Sequence, residues 1–362
     1  MNDMNTGRQK NIDYAKALAI VFMILIHVMM FPHSNLLNRP IGFLFDPILG
    51  GYLAAPVFML SMGVGMAYSK NQSPDKIIRR GVTLFILAYI LNLVRSLVIL
   101  INLVITRPSD MMEKIIERCL LGDILSFAGL AFIFMGLLKK LKCSDLWILI
   151  ISFILNITFS LIPEIITEHQ LIAVSVGLII PIQFKEDFQV CFPLFTWFVF
   201  VASGYCFGIR LKKIKNLDLF YMIAGLLGVF ITVVMIVIKN KWKQIGLLTS
   251  FKEDEYFNHI VVALLSIGIV IVEYAVLYFI TKKSSEFLDK FVYKMSNSVN
   301  EIYMISWVII FNINYLFLGI LFPNDHPAWV FAILFVTTTI PSVFLGIKWK
   351  EYKARNLSLF PR

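Results

Sequence analysis

Lys16 and His27 stand eleven residues apart in the run NIDYAKALAIVFMILIHVMMF, residues 11–31. At about 100° per residue, that spacing returns to within roughly 20° of one helical face while rising about 16.5 Å. A cation and an imidazole on one groove, separated by about the reach of a phosphopantetheine arm, suit the two ends of a coenzyme A thioester. Phosphates want cations, and a thioester wants a base or nucleophile of near-neutral pKa. The following polar stretch SKNQSPDKIIRRG adds Lys76, Arg79 and Arg80, which can clamp a nucleotide; ordinary basic flanking of a membrane span accounts for any one of them equally well.

A second set of polar residues follows the same run. FPHSNLLNRPIGFLFDP, residues 31–47, offers His33, Asn35, Asn38, Arg39 and Asp46, which suit a hydroxylated or aminated acceptor. His33 lies about one and a half helical turns beyond His27 and is its rival for the catalytic role. Arg95, Asp123 and Trp197 are the remaining candidates, each within an apolar run.

The elements that hold these residues follow from composition. Of 362 residues, 59% are hydrophobic and 15% charged, with a mean hydropathy of +0.80. Such a chain is an all-α polytopic membrane protein. Runs of about twenty apolar residues suffice to cross about 30 Å of hydrocarbon. Ten are expected, at 12–31, 48–68, 81–105, 120–138, 145–163, 190–209, 219–238, 260–280, 298–320 and 328–346. LIAVSVGLII (171–180) is too short to cross and is expected to re-enter the bilayer or lie at its surface. The first run lacks a small-residue cleavage site and is read as a retained span. A single integral-membrane domain over 1–362 is expected.

Lys and Arg crowd into alternate loops, around positions 70–80, 139–142, 210–215, 282–294 and 348–355, which places both termini in the cytoplasm. The net charge of +10 is thus a topology signal with attraction to anionic lipid, and no nucleic-acid motif gives it another meaning. The four cysteines form no CxxC pair, so neither a metal nor a disulfide framework is expected.

Measured from the cytoplasmic end of each span, His27, Arg95, Asp123 and Trp197 fall at about 20, 21, 24 and 18 Å. A titratable group in hydrocarbon costs several kcal/mol unless it is paired or lines a wet cavity. His27, Arg95 and Asp123 are therefore expected to share one polar cavity, with Trp197 either at its wall or simply packed against its neighbours.

Several stretches, in order, resemble the transmembrane acyltransferase superfamily of acyltransferase-3 and heparan-glucosaminide N-acetyltransferase-like proteins. RQKNIDYAKALAIVFMILIH resembles the family's opening basic-(I/L)D-x-x-(R/K) run and its span ending in histidine, with Lys16 where arginine is usual. APVFMLSMGVG, KIIRR, GDILSFAGLAF, FPLFTWFVFVASGYCFG and MSNSVNEIYMISW resemble later elements. Ser306 stands at the late histidine, and Thr196 at the second proline of the FPLFPW stretch.

The resemblance implies a membrane-embedded O- or N-acyltransferase that uses acetyl-CoA (acyl-CoA) as co-substrate and no metal. It would carry an acyl group, most simply acetyl, to an extracytoplasmic sugar hydroxyl or amine on a glycan or glycolipid. By the same resemblance His27 is catalytic, as general base or transient acyl carrier; Asp123 and Arg95, at the same depth, are expected beside it. Lys16, Lys76, Arg79 and Arg80 would hold the donor, and His33, Asn35, Asp46 and Trp197 the acceptor. A multi-pass place in a bacterial cytoplasmic membrane fits, and a homodimer is compatible with it. Two other readings remain open at this point. One is a secondary transporter using Arg95, Asp123, Glu273 and Glu301, against which stands the lack of an inverted repeat. The other is a catalytically inactive relative acting as a binding subunit, which the missing late histidine keeps open.

Overall fold

The computed structural model describes residues 4–29, 50–70, 72–106, 115, 118–162, 165–184, 188–244, 258–314, 316–317 and 328–356. His33, Asn35 and Asp46 lie outside the described residues. The helices are α1 (Lys10–Met29), α2 (Ala55–Tyr68), α3 (Pro74–Thr106), α4 (Ile124–Lys140), α5 (Asp145–Leu161), α6 (Gln170–Val176), α7 (Leu194–Leu211), α8 (Leu217–Gln244), α9 (Ile260–Thr281), α10 (Glu286–Asn297), α11 (Val299–Val308) and α12 (Ala328–Asn356). A π-helical turn, Ile309–Asn314, continues directly from α11.

Among the described residues, seven helices are long and apolar enough to cross a membrane: Lys10–Met29, Gly50–Tyr68, Pro74–Asn102, Leu194–Leu211, Leu217–Gln244, Ile260–Thr281 and Trp329–Asn356. The other three of the ten expected crossings fall on shorter elements. α4 and α5 have 17 residues each, and within the expected span at 298–320 residues 299–314 form the ten residues of α11 and the π turn. Local sequence chemistry sets several of these boundaries. Ser144 Oγ accepts from the Trp147 N–H at 3.3 Å and Ser285 Oγ from the Leu288 N–H at 3.3 Å. Each satisfies one of the donors that a helix start leaves open.

The chain divides into two compact units. The first comprises Met1–Arg8, Phe58–Leu93 and Leu103–Glu273. In it, α5 packs along α7, and Met59, Leu60, Phe127, Met135, Phe198, Phe200 and Tyr221 are fully buried. Two close helix contacts shape it. A Cβ on Gly204 would lie 2.0 Å from the Leu60 carbonyl oxygen, and one on Gly63 would lie 2.1 Å from that of Val201. Likewise a Cβ on Gly81 would meet the Gly129 carbonyl oxygen at 2.6 Å, and one on Gly129 would meet the Phe85 nitrogen at 2.7 Å. Backbones this near exclude any side chain, and small residues at helix interfaces let apolar helices gain dispersion energy where lipid leaves no hydrophobic drive between them.

The short stretch expected at the bilayer surface holds α6, and a three-stranded sheet flanks it in sequence, in which β1 (Ile166–Thr167) runs parallel to β2 (Gln183–Phe184), and β2 antiparallel to β3 (Phe188–Gln189). By contrast α8 leaves Leu226, Leu227, Phe230 and Val233 exposed, as a helix facing lipid does.

The second unit comprises Gln9–Val57, Val94–Asn102 and Tyr274–Arg362. Here α1 packs on α10, α11 and α12, and α11 on α12. Ile20, Ile24, Tyr274, Ile302 and Ile310 are buried in it. The N-terminal end of α1 is fastened by polar contacts. Lys10 Nζ binds Asp289 at 2.5 Å, the Tyr14 hydroxyl donates to Asp289 at 2.9 Å, and the Ser296 hydroxyl donates to Asp13. Asn11 Nδ2 donates to the Tyr274 carbonyl at 3.0 Å. The buried Glu301 is held by Lys353 at 2.6 Å and Lys350 at 3.4 Å, so its charge has a structural explanation.

Candidate active site

His27 lies in the last turn of α1, in an otherwise apolar stretch. Its ring packs on the indole of Trp307, with ring centroids 4.0 Å apart and planes at 31°. Its Nδ1 is shielded from solvent and has no hydrogen-bond partner among the described residues. The guanidinium of Arg95, itself 5% exposed, lies 4.9 Å from the Trp307 ring centre and 5.8 Å from that of Phe311. Thus Trp307 brings together two of the residues expected from the sequence, His27 and Arg95.

The π turn sets this arrangement. A π-helical turn carries one more residue per hydrogen-bonded loop than an α-helix and redirects the side chains that follow; such turns recur at functional positions. Trp307 stands just before it and packs on Phe311 within it, at 5.0 Å between ring centres. Asn312, in the same turn, reaches one rung of α3. Its Oδ1 accepts from the Val98 N–H at 3.3 Å, and its Nδ2 donates to the Val94 carbonyl at 3.3 Å. Those two groups are the ends of the helical rung that encloses Arg95. A second bond from Nδ2, to the Val308 carbonyl at 3.1 Å, ties the amide to its own helix.

Asp123 belongs to the first unit, where it is the N-cap of α4. Its Oδ1 accepts from the Leu125 and Ser126 N–H groups at 3.0 and 3.3 Å, while Ser126 Oγ accepts from the Asp123 N–H at 2.8 Å. That reciprocal capping explains a buried carboxylate in an apolar run without any substrate. Trp197 is 3% exposed and sits edge-on to Phe192, with ring centres 4.8 Å apart, in an aromatic cluster. Arg80 lies over the Phe132 ring at 4.6 Å, whereas Lys76 and Arg79 are exposed on the first turns of α3. Lys16 pairs with Asp13 at 3.2 Å and keeps a quarter of its side chain exposed. Ser306, at the place of the late histidine, is buried and donates to the Tyr303 carbonyl at 2.8 Å. Among the described residues, no group of three or more His, Cys, Asp or Glu side chains is placed to hold a metal ion.

The residues that sequence reasoning missed are Trp307, Phe311 and Asn312. Trp307 closes the MSNSVNEIYMISW stretch, and that position was its one available signal. An aromatic residue within an apolar run otherwise reads as core. Comparison with curated proteins and with solved structures finds no match. Residues 8–236, more than half of the chain, match the family described as heparan-alpha-glucosaminide N-acetyltransferase, catalytic; with its long apolar helices, the chain is a multi-pass integral membrane protein that belongs to this acetyltransferase family.

Proposed function

We propose that the protein moves an acetyl group from acetyl-CoA to a sugar amine or hydroxyl, with His27 at the reacting centre. The observation that carries this reading is the unpartnered, shielded Nδ1 of His27, packed beside a buried arginine. A buried polar atom left without a partner costs about 1–3 kcal/mol, so its retention calls for a ligand or a role. An imidazole is the side chain best suited to take a proton from an amine or hydroxyl near neutral pH, or to carry an acyl group for a moment.

The donor's phosphates are assigned to basic residues at the cytoplasmic face, Lys16, Lys76, Arg79 and Arg80, and the acceptor to the outer side, where His33, Asn35 and Asp46 stand in the sequence. The acetyl group, small and uncharged, is then the part that crosses. The family's description supports an amino sugar as acceptor. A bacterial cytoplasmic membrane is the setting in which such a reaction serves envelope glycans.

The test is acetyl transfer by purified protein in detergent, with acetyl-CoA as donor and methyl α-glucosaminide as acceptor. Formation of the acetylated sugar together with free coenzyme A is expected. Tight acetyl-CoA binding without product from either amine or hydroxyl acceptors would support a binding subunit instead, and the absence of acetyl-CoA binding would end the proposal.

A further inference from the structure

Trp307 makes ring contacts with His27, Tyr303 and Phe311 and leaves its one polar atom unused: Nε1 is buried and has no hydrogen-bond partner among the described residues. The neighbouring His27 Nδ1 is buried and unpartnered as well, on a ring only 4.0 Å away. We propose that Trp307 is a second catalytic residue of the acyl transfer, its Nε1–H donating to the acetyl carbonyl oxygen while His27 handles the proton. This proposal rests on the acetyltransferase reading above.

Unpartnered atoms occur elsewhere in the molecule, and the contrast is informative. Asn156 and Asn258 also leave their Oδ1 atoms unpaired, but both amides already donate to the Thr196 carbonyl, at 2.7 and 2.6 Å, so the free atoms are two acceptors. The His27 and Trp307 atoms are of opposite kinds. An indole N–H can only donate, and an imidazole nitrogen beside it can accept. Acyl transfer needs one of each: an acceptor for the proton of the attacking group, and a donor for the oxygen on which negative charge develops.

The proton and electron balance runs through both. The acceptor's nitrogen or oxygen forms a bond to the acetyl carbon, its proton passes to His27, the C–S bond breaks, and the departing coenzyme A sulphur takes that proton to leave as the thiol. If His27 attacks first, the acetyl–imidazole bond forms as the C–S bond breaks and the sulphur leaves as thiolate; the acceptor then displaces the imidazole, and its proton passes to that sulphur to give the thiol. On either route the carbonyl oxygen gains charge, which the Trp307 N–H stabilises. Arg95 strengthens the donor. Its cation, 4.9 Å from the indole ring centre, draws π-density toward itself, and this makes the N–H more acidic and adds positive potential at the same place.

The test is Trp307→Phe, which keeps an aromatic ring against His27 and Arg95 and removes the donor. Assayed with acetyl-CoA and methyl α-glucosaminide, it is expected to lose about 10²–10³-fold in kcat, the cost of removing one such donor. Its KM for acetyl-CoA should change little, because ground-state contacts of the nucleotide are untouched. Should this variant fail to fold, benzothienylalanine installed at position 307 keeps the ring shape and lacks only the N–H, and it faces the same criterion. A kcat within about threefold of wild type in a folded variant overturns the proposal; wild-type turnover in that same assay leaves the acetyltransferase reading standing. A wild-type protein without turnover overturns both.

Discussion

At the scale of single residues, the proposed mechanism divides the chemistry between His27 and Trp307, which differ in how they could be found. His27→Ala is expected to lower acetyl transfer by about 10²–10⁴-fold, the range for a positioned acid–base group. A cooperative melting transition should remain, lowered only by the lost packing on Trp307, since Nδ1 makes no bond that the substitution would break; a collapsed melting transition would make the residue structural. Lys16→Ala is expected to weaken acetyl-CoA binding, with a larger loss at low salt, because a quarter-exposed ammonium acts on phosphates through a screened field. Calorimetry showing the same affinity as wild type at both salt levels would remove Lys16 from the donor site. His27 was legible because a titratable group inside an apolar run is anomalous. Trp307 was not, for a tryptophan in such a run is what a core contains. Asp123 carries the opposite lesson: an equally anomalous carboxylate proves to be a helix cap, a role that the pattern D-x-x-S with Ser126 spells out once the helix start is placed.

At the scale of elements, motif glycines became contacts. Gly63 lies in one family-like stretch and Gly204 in another, and in the structure they face each other. Gly129 of the GDILSFAGLAF stretch meets Gly81, just after KIIRR, in the same way. Sequence alone could say that glycine was there, but pairing is a tertiary fact. Gly204→Val places a Cβ about where the Leu60 carbonyl oxygen stands and is expected to cost at least the roughly 1–3 kcal/mol of overpacking, read as lost yield or a lowered melting temperature; wild-type stability would mean that the two helices part at little cost. The π turn was equally unreadable, because nothing in IIFNIN distinguishes it from continuing α-helix. Its Asn312 side chain bridges the rung around Arg95, so Asn312→Leu should let Arg95 shift against Trp307. A displacement near 1 Å can cost about 10²-fold in rate. Activity unchanged in that variant would show that α3 holds Arg95 unaided.

For the molecule as a whole, the sequence showed a many-helix membrane protein, and its apolar runs located the seven long helices closely. The remaining expected runs fall on α4, α5 and α11 with its π turn, whose ends the sequence could not place because hydropathy does not report where a cap or a π turn ends a helix. Anchoring of α1 was invisible for a different reason, since Lys10 and Asp289 are far apart in the chain. In the second unit Asp289, which lies on α10 outside the long spans, is held down to about 2, first by the hydrogen bond from Lys10 and then by those from Ser284 and Tyr14. A carboxylate with a lowered folded-state pKa contributes stability above its unfolded value of about 3.9 and loses it as pH falls toward its folded value. Asp289→Asn should therefore melt below wild type at pH 7, and the gap should close between about pH 4 and pH 2; a gap independent of pH would mean that shape rather than charge fastens α1.

The central claim is that His27 passes an acetyl group from a donor on one side of the membrane to an acceptor on the other. Proteoliposomes test it directly: acetyl-CoA is sealed on the side of the Lys16 end of α1, methyl α-glucosaminide is supplied on the opposite side, and acetylated sugar is measured by mass spectrometry. Wild-type protein is predicted to acetylate the sugar across the bilayer, and His27→Ala to leave it unmodified. Acetylation only when donor and acceptor share a compartment, or wild-type product from His27→Ala, would contradict the account.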